Sequence, residues 1–280
     1  MSAAEGFRVD MHVKVLDEDV LRRAKARGMD ALVYAPHFMP LPEIERRAAA
    51  YSDEELLVVP AREIFTGDWH NRKHLLAIGL DSPVPDFVTL EGALLELRGQ
   101  DAATLVPHPD FLTVSLDRAD VDQYRSLLDG TEIYNPKFWP HHGRRAASIA
   151  EEAALPGFAS SYAHLGGSVG EAWTAFDRAT VEPGPSFTRS GAGRSDGGWL
   201  VDRTWVDRVE AFVEALTEGV SRSVSRRTGP AHRLRCLAEF AHLGYENSLT
   251  KAIRLFRPQL PGTHPGRPLY NGRFDDIRVY

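Results

Sequence analysis

Short apolar runs recur along this chain, and a polar or ionisable residue follows almost every one at once. Ala31-Leu32-Val33-Tyr34 runs into Ala35-Pro36-His37, Leu56 to Pro60 into Arg62-Glu63, and Ala103 to Val106 into Pro107-His108. Glu132-Ile133-Tyr134 ends on Asn135, and the stretch after Pro156 leads to Tyr162-Ala163-His164. Runs of four or five apolar residues read as buried strands. Between them lie stretches of helical spacing: Asp17 to Arg27 with Asp17 as N-cap, Pro42 to Tyr51, Thr89 to Arg98, Asp117 to Leu128 and Arg144 to Ala154. Strand and helix in alternation predict an α/β domain with a parallel sheet, either barrel or doubly wound. Ionisable groups at the ends of many different strands favour the barrel, because a doubly wound sheet would gather them at one switch point.

The first strand carries the densest chemistry. Phe7, Val9, Met11, Val13 and Val15 alternate with Arg8, Asp10, His12 and Lys14. Period-two alternation predicts one buried face and one face that lines up a carboxylate, an imidazole and an ammonium. That face is either the floor of a site or an ordinary solvated strand face. His74 opens a fourth strand, His74 to Gly79, and taken alone it reads equally as a core histidine. His70, His141 and His142 read as loop histidines.

Composition narrows the class. The 280 residues suffice for one large domain with an extension, and 43% hydrophobic with 26% charged residues is the balance of a globular protein. No apolar run approaches the roughly 18 residues of a membrane span. The first residues lack a basic patch followed by an apolar stretch, so no secretory signal is expected. A single Cys236 allows no internal disulfide and fits a reducing cytoplasm. The net charge of −6 gives no overall attraction to nucleic acid. Basic residues are mostly Arg, with five Lys including Lys14. Residues 182–199 are rich in Gly, Pro and Ser and read as a loop or linker. Trp205 to Leu216 and Leu234 to Phe256 have helical spacing, and the Arg-rich stretch from Ser221 to Arg235 reads as a solvated face before a phosphate site. The stretch from Arg257 to Tyr280 is expected to wrap the surface.

Taken in order, these residues resemble the PHP (polymerase and histidinol phosphatase) superfamily over roughly residues 8 to 178. Asp10-Met11-His12-Val13-Lys14 stands where the family has Asp-x-His-x-His, and Tyr34-Ala35-Pro36-His37 where it has Thr-Asp-His. Arg62-Glu63-Ile64 is similar to Gly-x-Glu-Ile, Val106-Pro107-His108-Pro109 to Ala-His-Pro, and Ser160-Ser161-Tyr162-Ala163-His164 to Gly-Ser-Asp-Ala-His. Lys73 to Leu80 is similar to the fourth, histidine-bearing motif, and Glu132 to Asn135 to the Ile-Glu-x-x-Asn strand.

The resemblance implies a distorted (β/α) barrel over residues 1–180, with residues 181–280 as a mostly helical extension packed on it. It implies metal ligation by His12, His37, Glu63, His74, His108 and His164, with Zn, Mn or Fe as the divalent ion. It also implies departures. Lys14, Pro36 and Tyr162 replace a histidine and two aspartates, which reduces the metal complement. A protonated Lys offers no lone pair, so Lys14 would take the space of a cation and bind phosphate or neutralise Glu63. Arg62 is expected to grip an anionic substrate, and Tyr162 or His164 to serve the leaving group. The function implied is a cytoplasmic, metal-dependent phosphoesterase acting on a phosphorylated small molecule or nucleotide. The alternative is a catalytically degenerate scaffold that binds RNA or a protein partner.

Overall fold

The computed structural model describes residues 6–37, 39–67, 72–111, 114–181 and 203–256, with side chains in the last segment from 204 to 245. The proposed linker at 182–199, the stretch after 256 and His70 lie outside the described residues. The elements are β1 (Phe7–Val13), α1 (Glu18–Ala26), β2 (Ala31–Tyr34), α2 (Leu41–Tyr51), β3 (Leu57–Thr66), β4 (Lys73–Ile78), α3 (Leu90–Gly99), β5 (Ala103–Val106) and α4 (Arg118–Tyr124). There follow β6 (Gly130–Tyr134), α5 (Pro140–Glu152), β7 (Gly157–Ala159), β8 (Ala172–Phe176), α6 (Arg178–Val181), α7 (Arg203–Thr217), β9 (Arg222–Arg226) and α8 (Pro230–Phe256). Asp17 caps α1 through the backbone N–H of Val20 at 2.8 Å, and Asp117 forms a capping box with Asp120 on α4. Helix α5 begins at Pro140, so His141 and His142 stand in its first turn and not in a loop.

The nine strands form one sheet in the order β7-β6-β5-β4-β3-β2-β1-β8-β9. It curls into a nearly closed barrel. Above β7, Ala163 pairs with Val13 in a parallel bridge, and Lys14 N–H donates to the Ala163 carbonyl at 2.9 Å. At the other end β8 wedges in beside β1, and the Thr174 hydroxyl joins β8 to β7 by accepting from Ala159 N–H (2.9 Å) and donating to Ala159 O (3.0 Å). A side chain completes this seam where the ladder does not.

The sheet is mixed, which corrects the expectation of a parallel one. Strands β1, β2 and β3 run together, as do β5, β6 and β7, but β4 is antiparallel to both its neighbours and β8 is antiparallel to β1. The reversal of β4 decides the site. Its first residues lie against the last residues of β3, Lys73 opposite Thr66 and His74 opposite Phe65. A histidine that opens a strand therefore reaches the rim where the other strands end.

The barrel interior holds Val9, Met11, Val33, Val59, Leu76, Ile78, Leu105 and Phe158, and α7 closes this core with Phe212 and Leu216. Each such side chain contributes about 1.5–3 kcal/mol when fully buried. Outside, α1 and α2 cover Leu32, Tyr34 and Val58, while α3, α4 and α5 cover Ile64, Leu75, Ala77 and Val106. No helix among the described residues is long and apolar enough to cross a membrane.

Candidate metal centre

Strand β1 does not present Asp10, His12 and Lys14 on one face. Its pairing with β2 slips between Asp10 and Val13, where three steps on β1 match two on β2. The bulge reverses the alternation. Val9 and Met11 face the interior below it, while Val13 packs outside with Leu32 and Tyr34. His12 and Lys14 turn to the interior and Asp10 turns out. The buried Asp10 carboxylate accepts from Ser161 N–H (2.8 Å) and Gly170 N–H (2.7 Å), and burial pushes its pKa up to about 6 despite these bonds. Asp10 is a strut that fixes the segment carrying Tyr162 and His164.

Glu63 is the hub. It projects inward from β3, is 1% exposed, and its two oxygens meet different partners. Oε1 lies 2.9 Å from His74 Nδ1 and 3.0 Å from His108 Nε2. Oε2 lies 2.5 Å from Lys14 Nζ, 3.3 Å from His37 Nδ1 and 3.7 Å from His12 Nε2. Burial alone would raise the Glu63 carboxyl, but Lys14 and the imidazoles of His74, His12 and His37 hold it well below the usual range. Lys14 Nζ also donates to Ala35 O at 2.6 Å. Among the described residues, Glu63, His74 and His108 offer three ligand atoms within 4.8 Å of one another.

The proton positions at this cluster fit a metal ion. The Ser115 hydroxyl donates its one hydrogen to Phe111 O at 2.6 Å, so at 3.0 Å it accepts from His108 Nδ1. With that proton placed on Nδ1, the His108 nitrogen available to a ligand is Nε2, and it faces Glu63 Oε1 at 3.0 Å, where a cation would be shared by both. His12, with both ring nitrogens buried and without hydrogen-bond partners, and His74, whose Nε2 is likewise orphaned, point the same way. Burial and Lys14 hold His12 and His37 well below their ordinary pKa, and burial carries His74 down to about 4 against the opposing Glu63. Neutral imidazoles are the form that ligates.

The positions of His108 and Tyr162 are held against backbone preference. Both adopt positive φ, 35° and 46°, a region L residues rarely occupy. Glu132 holds the first of them, accepting from His108 N–H and from Asn135 Nδ2, both at 2.8 Å, while Ser160 Oγ donates to its other oxygen. The Tyr162 ring packs 4.7 Å from His12, 5.1 Å from His108 and 4.8 Å from His164. It fills the part of the site where the family motif has a short carboxylate.

Two expected residues are placed differently, and two unexpected ones appear. Arg62 alternates with Glu63 and points away from the site; its buried guanidinium is committed to Asp86 (2.8 Å) and Val84 O (3.0 Å), so it does not grip a substrate. His164 reaches the rim, but Lys137 Nζ stands 2.8 Å from its Nδ1, and an ammonium only donates, so that lone pair is taken. Lys137, 1% exposed, also donates to Tyr162 O and lies 3.8 Å over the Tyr162 ring. Glu239 of α8 completes the group at 3.1 Å from Lys137. Neither residue stood in a motif. One signal was available: in a chain with twenty-eight Arg and five Lys, an uncommon Lys at a strand end marks a place where a compact ammonium was required.

The Arg-rich run is mostly solvent-facing, with Arg226 and Arg233 exposed, while three half-buried arginines turn to the barrel. Arg222 donates to Asp129 O, Arg227 to Gly170 O and Arg27 O, and Arg235 to Glu171, which ties β9 and α8 to the barrel.

The PHP-associated family model matches residues 140–186, the segment that carries Tyr162 and His164. Over that segment the chain is similar to the PHP-associated family. No curated protein matches the sequence significantly. Among solved structures, PsfC from Pseudomonas syringae PB-5123 shares the fold with a TM-score of 0.56 at 20% identity, over 88% of this chain and 99% of its own. A Bifidobacterium adolescentis protein assigned as a metal-dependent phosphoesterase gives 0.47 at 14% identity, covering 58% of this chain and 88% of its own. An amidohydrolase from Chromobacterium violaceum, with sulfate and no metal bound, gives 0.44 at 14%, covering 58% and 89%. The barrel of this chain holds Glu63, His74 and His108 around a buried centre, with Lys14 beside them.

Proposed function

We propose that the protein is a metal-dependent hydrolase of phosphate esters built around a reduced metal centre. The observation that carries this reading is the pairing of Glu63 Oε1 with His74 Nδ1 and with His108 Nε2, whose proton Ser115 places on the far side of the ring. Imidazole and carboxylate donors suit Zn, Mn or Fe, held by Glu63, His74 and His108 with His12 beside them. Such an ion supplies a Lewis acid and a water of lowered pKa. The chain's own residues do the rest. Lys14 neutralises the other Glu63 oxygen, in place of a further cation, and adds positive charge beside a bound phosphoryl group. His164, with Nδ1 held by Lys137, keeps its proton on Nε2, from which it donates a hydrogen bond to an oxygen of the phosphoryl group. The substrate class is a phosphorylated small molecule or nucleotide.

The test is metal analysis of the purified protein together with assays on a generic phosphomonoester and a dinucleotide under Zn, Mn and Fe. About one ion per chain and metal-dependent release of phosphate are expected. Substoichiometric metal with no turnover under any of the three would leave the protein as a scaffold whose lysines have replaced its ions.

A further inference from the structure

Helix α8 delivers one buried carboxylate to the rim of the site, and what surrounds that carboxylate is a receptor for an anion. Glu239 is fully buried. Its Oε1 accepts from the backbone N–H groups of His164 (3.2 Å) and Leu165 (3.0 Å). Its Oε2 lies 3.1 Å from Lys137 Nζ and 3.3 Å from His164 N. Two successive N–H groups and an ammonium converging on one point are the donor set of an oxyanion site. The site adjoins the Glu63 cluster, because Tyr162 touches Lys137 on one side and His108 on the other.

The seating of α8 bears on how firmly this carboxylate is held. The buried side chains of the described part of α8 are His232 and Glu239, both polar. Leu234, Leu237 and Tyr245 stay 60% or more exposed. Up to Tyr245 the helix is therefore held by a His232–Glu171 hydrogen bond and by the ion pairs Arg235–Glu171 and Glu239–Lys137, with little apolar burial. Ion pairs yield to a competing anion by mass action, whereas a buried apolar face does not.

Resting on the hydrolase reading, we propose that Lys137 with the His164 and Leu165 amides forms a subsite for a second anionic group of the substrate, a carboxylate or phosphoryl, and that Glu239 is its built-in occupant, displaced when that group binds. The site would then select doubly anionic substrates over simple monoesters.

The experiment uses the full-length, metal-stripped protein, so that its result is independent of catalysis. Thermal unfolding of wild type and Glu239→Ala is followed against sodium acetate and inorganic phosphate, with sodium chloride at matched ionic strength. Glu239→Ala opens a carboxylate-sized vacancy, and acetate or phosphate should raise its Tm saturably by roughly 3–6 °C beyond the wild-type response. The better of the two anions identifies the group. If Glu239→Ala does not fold alone, recovery of its native circular dichroism by either anion is the expected result. A variant that gains no more than wild type, that neither anion refolds, or whose rescue persists in Glu239→Ala/Lys137→Gln overturns the proposal. Metal content of wild type tests the hydrolase reading separately.

Discussion

The two oxygens of Glu63 face two solutions to one electrostatic problem. On the Oε1 side, His74 and His108 turn nitrogens toward the carboxylate, and Ser115 holds the Nδ1 proton of His108 on the far side of its ring. That side is built for an ion that comes from outside. On the Oε2 side, Lys14 supplies the positive charge covalently. Lys137 does the same for Glu239 a few ångströms on. The difference is one of control. A metal is bound and lost by mass action and releases protons on binding, while an ammonium on a four-carbon stem is always present and cannot accept a ligand. On the proposed reading, the exchangeable cation sits where chemistry requires an open coordination position, and the charge is fixed where neutralisation suffices.

Glu63→Gln strikes both sides at once and has the largest expected effect. It removes the shared metal ligand and leaves Lys14 as a buried ammonium without its counter-ion. Metal content should fall to background, and urea unfolding should show a loss of about 3–5 kcal/mol. A variant that still binds metal stoichiometrically would mean that the ion sits elsewhere.

Acid separates the two sides next. His74, with a pKa of about 4, and His12, His37 and His164, all lowered, stay neutral in the fold while unfolded imidazoles titrate near 6.5. Between about pH 4 and 6.5 these four imidazoles bind more protons in the unfolded chain and make stability of the metal-free protein rise with pH, while Asp10, raised to about 6, opposes them with the reverse slope. Stability in denaturant titrations should fall by a few kcal/mol from pH 7 to pH 4. Flat stability that persists in an Asp10→Asn background would show that the imidazoles are already protonated in the fold.

How much of this was legible beforehand follows the same division. The motif residues Glu63, His74 and His108 could be read because each closes or opens a short apolar run, and the barrel places such positions on one rim. The bulge in β1 could not be read, since Asp10 to Lys14 alternates without a break and only the pairing with β2 shows the slip. Arg62 was misplaced by proximity: in a strand, the neighbour of a site residue faces the opposite way. Lys137 and Glu239 were missed because they meet across about a hundred residues, one from a turn and one from mid-helix, and no local pattern marks a tertiary ion pair.

Ser115→Ala sharpens the metal side alone. The hydroxyl touches no reacting group; it fixes the His108 tautomer. Its loss frees the Nδ1 proton to move, and metal affinity should weaken about 10–100-fold with the fold intact. Calorimetric titration with Zn reads this directly. An unchanged affinity would mean that the ring is oriented by Glu63 and the backbone alone.

Lys14→His tests the other side, and the smallest change is expected there. The substitution restores the histidine of the first motif, and with it a nitrogen ligand near Glu63 Oε2 and His12. A second ion still lacks its place, because the Tyr162 ring lies 4.7 Å from His12 and 4.8 Å from His164, and Lys137 remains 3.8 Å above that ring. A cation brought beside an ammonium in a buried site meets repulsion that no added imidazole offsets. Metal occupancy should therefore rise only fractionally above that of wild type. If elemental analysis of Lys14→His instead found a second full ion per chain, Tyr162 and Lys137 would be no obstacle, and Lys14 alone would account for the altered centre.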